Sequence, residues 1–220
     1  MMMMRRRDCL KTMLHCSAWA LGSAAAGLVA AQTTRAAPRI LVVGDSLSAE
    51  YGLARGQGWV ALLEQRLRDQ KLPHQVLNAS ISGDTTAGGR ARLPALLKPP
   101  GPSFVIIELG GNDALRGLPL DSSRANLLAM VSAAKAVGAK VLLLGMQVPP
   151  NYGSSYGRKF ADLFEQVAKQ ENTALVPFLL KGVADRPDAE AWFQPDRIHP
   201  TAQAHPLMLE LVWTQLKPLL

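Results

Sequence analysis

With 220 residues, 48% hydrophobic and 19% charged, the chain suits one folded domain with an N-terminal extension. The net charge of +7 comes with no basic stripe carrying interleaved aromatics, so nucleic-acid binding is poorly supported. The two cysteines, Cys9 and Cys16, both stand near the N-terminus, which leaves the remainder without disulfides, a thiolate nucleophile or a cysteine metal site.

Arg5, Arg6, Arg7 and Lys11 open the sequence as a positive region, and Met13 to Ala31 follows as an apolar stretch rich in Ala, Gly and Leu. Val29-Ala30-Ala31 places small residues where a signal peptidase reads, so residues 1–31 are expected to be a signal peptide, with cleavage near Ala31 or as late as Ala37. An uncleaved membrane anchor is the alternative, since the stretch is about long enough to span. Arg-Arg-Asp-Cys-Leu-Lys (residues 6–11) resembles a twin-arginine signal, and Sec export is equally open. Neither cysteine sits in a lipobox. The expected product is a periplasmic or secreted domain over 38–220. It loses four of its cations and one acid with the leader, and is only mildly basic.

From Arg39 onward, apolar runs alternate with amphipathic stretches. Strands are expected over 39–43, 75–79, 104–109, 140–146 and 174–178, and helices over 58–71, 85–97, 122–137, 155–171 and 201–216. Strands this apolar suit a parallel sheet covered on both faces. Right-handed crossovers then give a flavodoxin-like α/β/α sandwich of three layers and about five parallel strands. Ligands of such folds bind beyond the carboxyl ends of the strands, so the loops after the strands should converge on the site. Residues 98–102 and 147–156 read as loops from their Pro, Gly, Asn and Ser content.

Those loops hold the chemistry. Gly44-Asp45-Ser46-Leu47-Ser48 ends the first strand and puts Ser46 on a strand-to-helix turn. Asp196-Arg197-Ile198-His199-Pro200 lies near the other terminus. A serine hydroxyl hardly ionises at neutral pH; it needs an imidazole to take its proton and a carboxylate to fix the imidazole tautomer. The remaining histidines fit this task less well. His15 leaves with the leader, His74 reads as a solvated turn residue, and His205 reads as packing or surface on the last helix. Asp185 and Asp188 are alternative carboxylates in a loop that reads as solvated. Between the two ends, Asn78–Thr85 and Glu108–Asp113 bring Gly and Asn to strand ends, where backbone N–H groups and an amide suit a developing oxyanion. The histidines are scattered and the acids do not cluster at ligand spacings, so no metal site is expected.

Together these blocks resemble the SGNH (GDSL) hydrolase superfamily. The match is nearest to its bacterial periplasmic thioesterase/lysophospholipase/arylesterase group, through GDSLSA at 44–49, NASISGDT at 78–85, ARLPALL at 91–97, ELGGND at 108–113 with LRG after it, and PNYG at 150–153. The resemblance implies Ser46 as nucleophile, His199 as base and then acid, and Asp196 as the carboxylate that orients it. The Ser46 and Gly83 N–H groups and the Asn112 side chain form the implied oxyanion hole. Asp45, Asp84 and Asp113 are expected to brace their loops. Two residues depart from the pattern: Glu50, where a small residue is usual, and Arg197, where glycine is common. An added cation at Arg197 would disfavour a protonated imidazole beside it.

Leu115, Leu118, Met146 and Val148 stand on loops after the third and fourth strands and are read as an apolar trough for an acyl chain. The expectation is a cofactor-free serine esterase, monomeric and needing no stable partner. Its small-molecule substrates are acyl or aryl esters and acyl thioesters, lipids among them. The competing readings are a carbohydrate-ester deacetylase on the same fold and a flavodoxin-like module that binds without catalysis.

Overall fold

A computed structural model of the protein describes residues 37–220; the proposed leader, with both cysteines, lies outside the described residues. Five strands form one parallel sheet: β1 (Arg39–Gly44), β2 (Gln75–Asn78), β3 (Phe104–Glu108), β4 (Lys140–Leu144) and β5 (Ala174–Val176). Their order is β2-β1-β3-β4-β5, the doubly wound order of flavodoxin-like folds. Every residue of β3 is buried, as are Ile40 to Gly44 of β1 and Val141 to Leu144 of β4. The edge strand β2 is largely exposed.

Helices α1 (Trp59–Asp69) and α6 (His205–Leu216) pack together on one face of the sheet, and α2 (Thr86–Leu96), α4 (Leu120–Ala136) and α5 (Ser154–Glu171) lie side by side on the other. Apolar residues recur at helical spacing on these elements. Leu63 and Leu67 of α1, Leu127 and Val131 of α4, and Phe160, Phe164 and Val167 of α5 are almost wholly removed from water. No helix among the described residues is long and apolar enough to cross a membrane.

The strands and the long helices fall where the apolar patterning puts them, with ends shifted by a few residues. Leu120 and Asp121 belong to α4, which begins directly after Pro119, because proline supplies the fixed φ of a helix start. The last helix starts at His205 rather than 201, after a 3-10 turn over Ala202–Ala204. One element is new. Gly111–Leu115 forms a short helix, α3, in a stretch whose Gly-Gly-Asn-Asp reads as loop.

The winding of the chain reverses between β1 and β3, which are neighbours in the sheet. A crevice opens at such a switch point beyond the strand ends. The turn after β1 and helix α3 after β3 flank it, and they carry Ser46 and Asn112.

Candidate active site

β1 ends at Gly44, in register with Glu108 of β3. A Cβ at Gly44 would lie 2.8 Å from Ser48 Oγ and 2.9 Å from Glu108 Oε2, so the turn closes this tightly only over glycine. The Asp45 carbonyl accepts the Ser48 and Ala49 N–H groups at 3.2 and 3.0 Å, and its carboxylate accepts the Leu47 N–H at 3.1 Å. Asp45 thus braces the turn, as expected, and leaves Ser46 at its crest.

His199 reaches Ser46 across 153 positions of sequence: its Nε2 lies 2.8 Å from Ser46 Oγ, and its Nδ1 lies 2.7 Å from Asp196 Oδ2. The other Asp196 oxygen accepts the N–H groups of Ile198 and His199, both at 3.0 Å. Partial desolvation opposes ionisation of this carboxylate. The backbone N–H bonds, with the imidazole, outweigh it and hold its pKa at about 2. An ionised Asp196 takes the Nδ1 hydrogen, which leaves Nε2 as an acceptor for the serine hydroxyl. Asp185 instead takes the Gly182 N–H at 2.6 Å, and Asp188 pairs with Arg186 at 2.9 Å; neither carboxylate touches His199.

The loop between Asp196 and His199 turns through Arg197 at φ 58°, a left-handed conformation that favours glycine. The Arg197 guanidinium points outward, 3.6 Å from Glu190, with both side chains well exposed. Glu50, the other departure, also holds positive φ. Its carboxylate accepts the Gly56 and Gly58 N–H groups at 3.0 and 2.7 Å and so ties down the approach to α1. Both departures thus place a non-glycine residue in left-handed backbone.

Among the described residues, neither the Ser46 N–H nor the Gly83 N–H finds an acceptor. Gly83 has φ 78°, and its carbonyl accepts Arg116 Nη2 at 2.7 Å. Asn112 enters on α3 and donates one Nδ2 hydrogen to Asp45 Oδ2 at 2.9 Å, leaving the other free. Asp84 pairs with Arg92 at 2.8 Å, and Asp113 accepts the Thr86 N–H at 2.8 Å and Ser123 Oγ at 3.0 Å, so both hold their loops as expected.

A cavity of about 370 Å³ adjoins this centre. Gly111 and Ile198, the neighbours of Asn112 and His199, line it together with Leu115, Met146, Val148, Phe178 and the charged Asp185 and Arg197. Leu118 is not one of them. It lies beyond α3, over a third exposed, its N–H bonded to the Asp113 carbonyl at 2.9 Å. The turn that ends α3 carries it out of the groove, and a chain read as continuous loop gave no sign of that turn. A larger cavity of about 480 Å³ lies between α1 and β2, with Glu50, Arg55, Glu64 and Arg68 in its walls. None of its lining residues adjoins Ser46, Asn112 or His199 in the sequence, whereas the smaller cavity is bordered by Gly111 and Ile198, and size alone does not make it the site.

His74 is half-buried rather than solvated. Its ring lies edge-on to Phe104 at 5.4 Å, and burial lowers its pKa. His205 is the packing residue, with its Nδ1 accepting the Trp59 N–H at 3.0 Å. The residues that escaped the sequence reading are Glu108, Tyr51 and Gln194. Glu108 carries a signal, an acid closing the apolar run Phe104–Ile107; Tyr51 and Gln194 carry none, because each matters through a partner far away in sequence.

Residues 42–207 match the GDSL-like lipase/acylhydrolase family. The chain is 56% identical over 185 residues to the esterase TesA of Pseudomonas aeruginosa, an alignment covering 84% of this chain and 90% of that protein. It is 40% identical over 184 residues to thioesterase 1/protease 1/lysophospholipase L1 of Escherichia coli K12, covering 84% and 86%. The crystal structure of TesA aligns with a TM-score of 0.79 at 55% identity, over 83% of this chain and 99% of that one.

Proposed function

Because the chain belongs to the GDSL-like lipase/acylhydrolase family and is an ester hydrolase, we propose that it works through Ser46, His199 and Asp196 by way of an acyl-enzyme. The observation that carries this reading is the unbroken hydrogen-bond chain from Ser46 Oγ through His199 to Asp196, at 2.8 and 2.7 Å. Ser46 Oγ attacks the carbonyl carbon while His199 Nε2 takes its proton, and the Asp196 carboxylate stabilises the imidazolium that forms. The carbonyl oxygen gathers negative charge between the Ser46 and Gly83 N–H groups and the free Asn112 hydrogen. The imidazolium protonates the leaving alcohol or thiol as the C–O or C–S bond breaks. His199 Nε2 then draws a proton from water as the water oxygen attacks the acyl carbon, and returns that proton to Ser46 Oγ as the Oγ–acyl bond breaks and the acid leaves.

The apolar groove beside Ser46 favours acyl and aryl esters and acyl thioesters, lipids among them, over acetylated sugars. The relatives named for esterase and thioesterase activity support the same substrates. The basic and apolar opening of the sequence supports export to the periplasm or beyond.

A fluorophosphonate probe, followed by peptide mapping, should label Ser46 and nothing else. Graded p-nitrophenyl esters and acyl-CoA thioesters then give the substrate class. Ser46→Ala should lower turnover by about 10³ or more, since no acyl-enzyme can form. A folded Ser46→Ala variant that still hydrolyses esters at the wild-type rate would overturn the assignment.

A further inference from the structure

Glu108 is a fully buried acid with no part in the steps above. Its Oε2 accepts the Asp45 N–H at 3.2 Å and the Ser48 hydroxyl at 2.8 Å, while its Oε1 is buried with no donor. Asp45, whose N–H Glu108 holds, in turn holds Asn112 Nδ2 at 2.9 Å. A buried acid at the end of a core strand thus leads through one contact to a proposed oxyanion donor.

We propose that Glu108 is a positioning residue for the oxyanion hole: it anchors Asp45, and Asp45 holds the Asn112 amide so that its second hydrogen meets the reacting carbonyl. The inference rests on the oxyanion role given to Asn112 above.

Two neighbouring carboxyls buried out of water do not both ionise readily. Asp45 accepts hydrogens from the Leu47 N–H and the Asn112 amide, which favour its anion. Among the described residues no cation pairs with Glu108 and one of its oxygens has no donor, so the proton resides there. Burial, and then the charge of Asp45, holds Glu108 well above the usual carboxylate range. Burial pushes Asp45 up to about 6. With the proton on Glu108, the negative charge stays on the residue that grips Asn112.

This arrangement answers a geometric need. Asn112 is on a five-residue helix entered through Gly110 at φ 123°, and its side chain can swing about two torsions. One hydrogen bond to a fixed carboxylate stops that motion. Asp45 is fixed in its turn by a residue of the most deeply buried strand.

The test is a cycle of Glu108→Ala and Asn112→Ala, singly and together, with kcat and KM on a short p-nitrophenyl ester and thermal unfolding for each. Losing an oxyanion donor costs about 10²–10³ in turnover, so mis-aiming it should cost about 10- to 100-fold in kcat with KM moved by less than about twofold. In the Asn112→Ala background the same Glu108 change should cost less than about threefold, because the donor it aims is gone. Glu108→Gln, neutral and of the same shape, should recover most of what Glu108→Ala loses. Effects that multiply, or a folded Glu108→Gln variant as poor as Glu108→Ala, would overturn the inference while leaving the oxyanion hole intact. An Asn112→Ala variant with wild-type kcat would remove the oxyanion reading itself, and this inference with it. If Glu108→Ala does not fold, the isosteric Asp45→Asn takes its place in the cycle, with the same expectation of non-additivity.

Discussion

The Tyr51 ring lies over the His199 imidazole, with centroids 4.3 Å apart and planes tilted by 37°. Tyr51 is half exposed, so burial alone does not hold it there. Gln194 Nε2 donates to the Tyr51 carbonyl at 2.9 Å and to the Pro200 carbonyl at 3.1 Å, and the Gln194 N–H donates to the His199 carbonyl at 2.7 Å. A Cβ at Gly52 would fall 2.0 Å from Gln194 Oε1, so the loop closes here only over glycine. One amide side chain therefore couples the loop after Ser46 to the loop that carries His199.

Gln194→Ala should loosen that coupling without touching a reacting atom. A misplacement of about 1 Å costs up to about 10² in rate, so kcat should fall by about tenfold or more with KM little changed. Steady-state kinetics on a short ester checks this. An unaltered kcat would mean that the two loops keep their spacing by other contacts.

Ser46, Gly83 and Asn112 are legible as candidates because each follows a recognisable strand, whereas Asp196 and His199 lie well past β5 and are picked out by their spacing and the family resemblance. Five apolar runs imply a parallel sheet, the sheet implies a common edge, and the edge gathers Ser46, Gly83 and Asn112. The clamp was not legible. Gln194 is an ordinary polar residue until Tyr51, 143 positions away in sequence, is brought beside it. Helix α3 escaped for a local reason, since Gly111 and Asn112 in its first turn, after the non-helical Gly110, have low helix propensity. That omission also misplaced Leu118.

Arg197 has φ 58°, where a non-glycine residue costs about 1–2 kcal/mol. Its pairing with Glu190 at 3.6 Å is between exposed groups and returns little. Glycine relieves the strain but adds entropy to the unfolded chain, so Arg197→Gly should stabilise by a net of about 0.5–1 kcal/mol. Urea unfolding at neutral pH measures it. A loss of stability would mean that the arginine side chain makes up for its own strain.

His205 should make the fold sensitive to acid. Burial lowers its pKa from 6.5 to about 4, and its neutral Nδ1 accepts the Trp59 N–H at the start of α1. Between those two values the unfolded chain binds a proton that the folded chain refuses, so stability falls as pH drops from 6.5 towards 4 and levels off below. The full contribution is about 3 kcal/mol at most. His205→Gln should flatten this part of the pH–stability curve, and an identical slope in both proteins would assign the acid sensitivity elsewhere.

Export rests on Arg5–Arg7, the apolar run to Ala31 and the small residues that end it. N-terminal sequencing of protein recovered from the periplasm should begin near Gln32 or at Ala37. A product that keeps Met1 and pellets with membranes would make the segment an anchor. Replacing Arg6 and Arg7 by lysine tests the route: blocked export indicates the twin-arginine pathway, and unaffected export indicates Sec.

Val148 tests the groove. It stands on the wall of the cavity beside Ser46 with Leu115 and Met146. Burying one methylene is worth about 0.8 kcal/mol, so kcat/KM should rise by up to about fourfold per added carbon until the chain leaves the groove. A carboxylate at this position would be stripped of water by the bound chain, an expense that only a long acyl group incurs. Val148→Asp should therefore depress long-chain esters selectively and leave acetyl and short aryl esters almost untouched, because those never reach the wall. The quantity to follow is the ratio of long-chain to acetyl kcat/KM in the two proteins. A constant ratio would show that the acyl chain runs past Val148 without contact, and the search for its path would move to the face around Tyr51 and Ile81, both half exposed on the loops after β1 and β2.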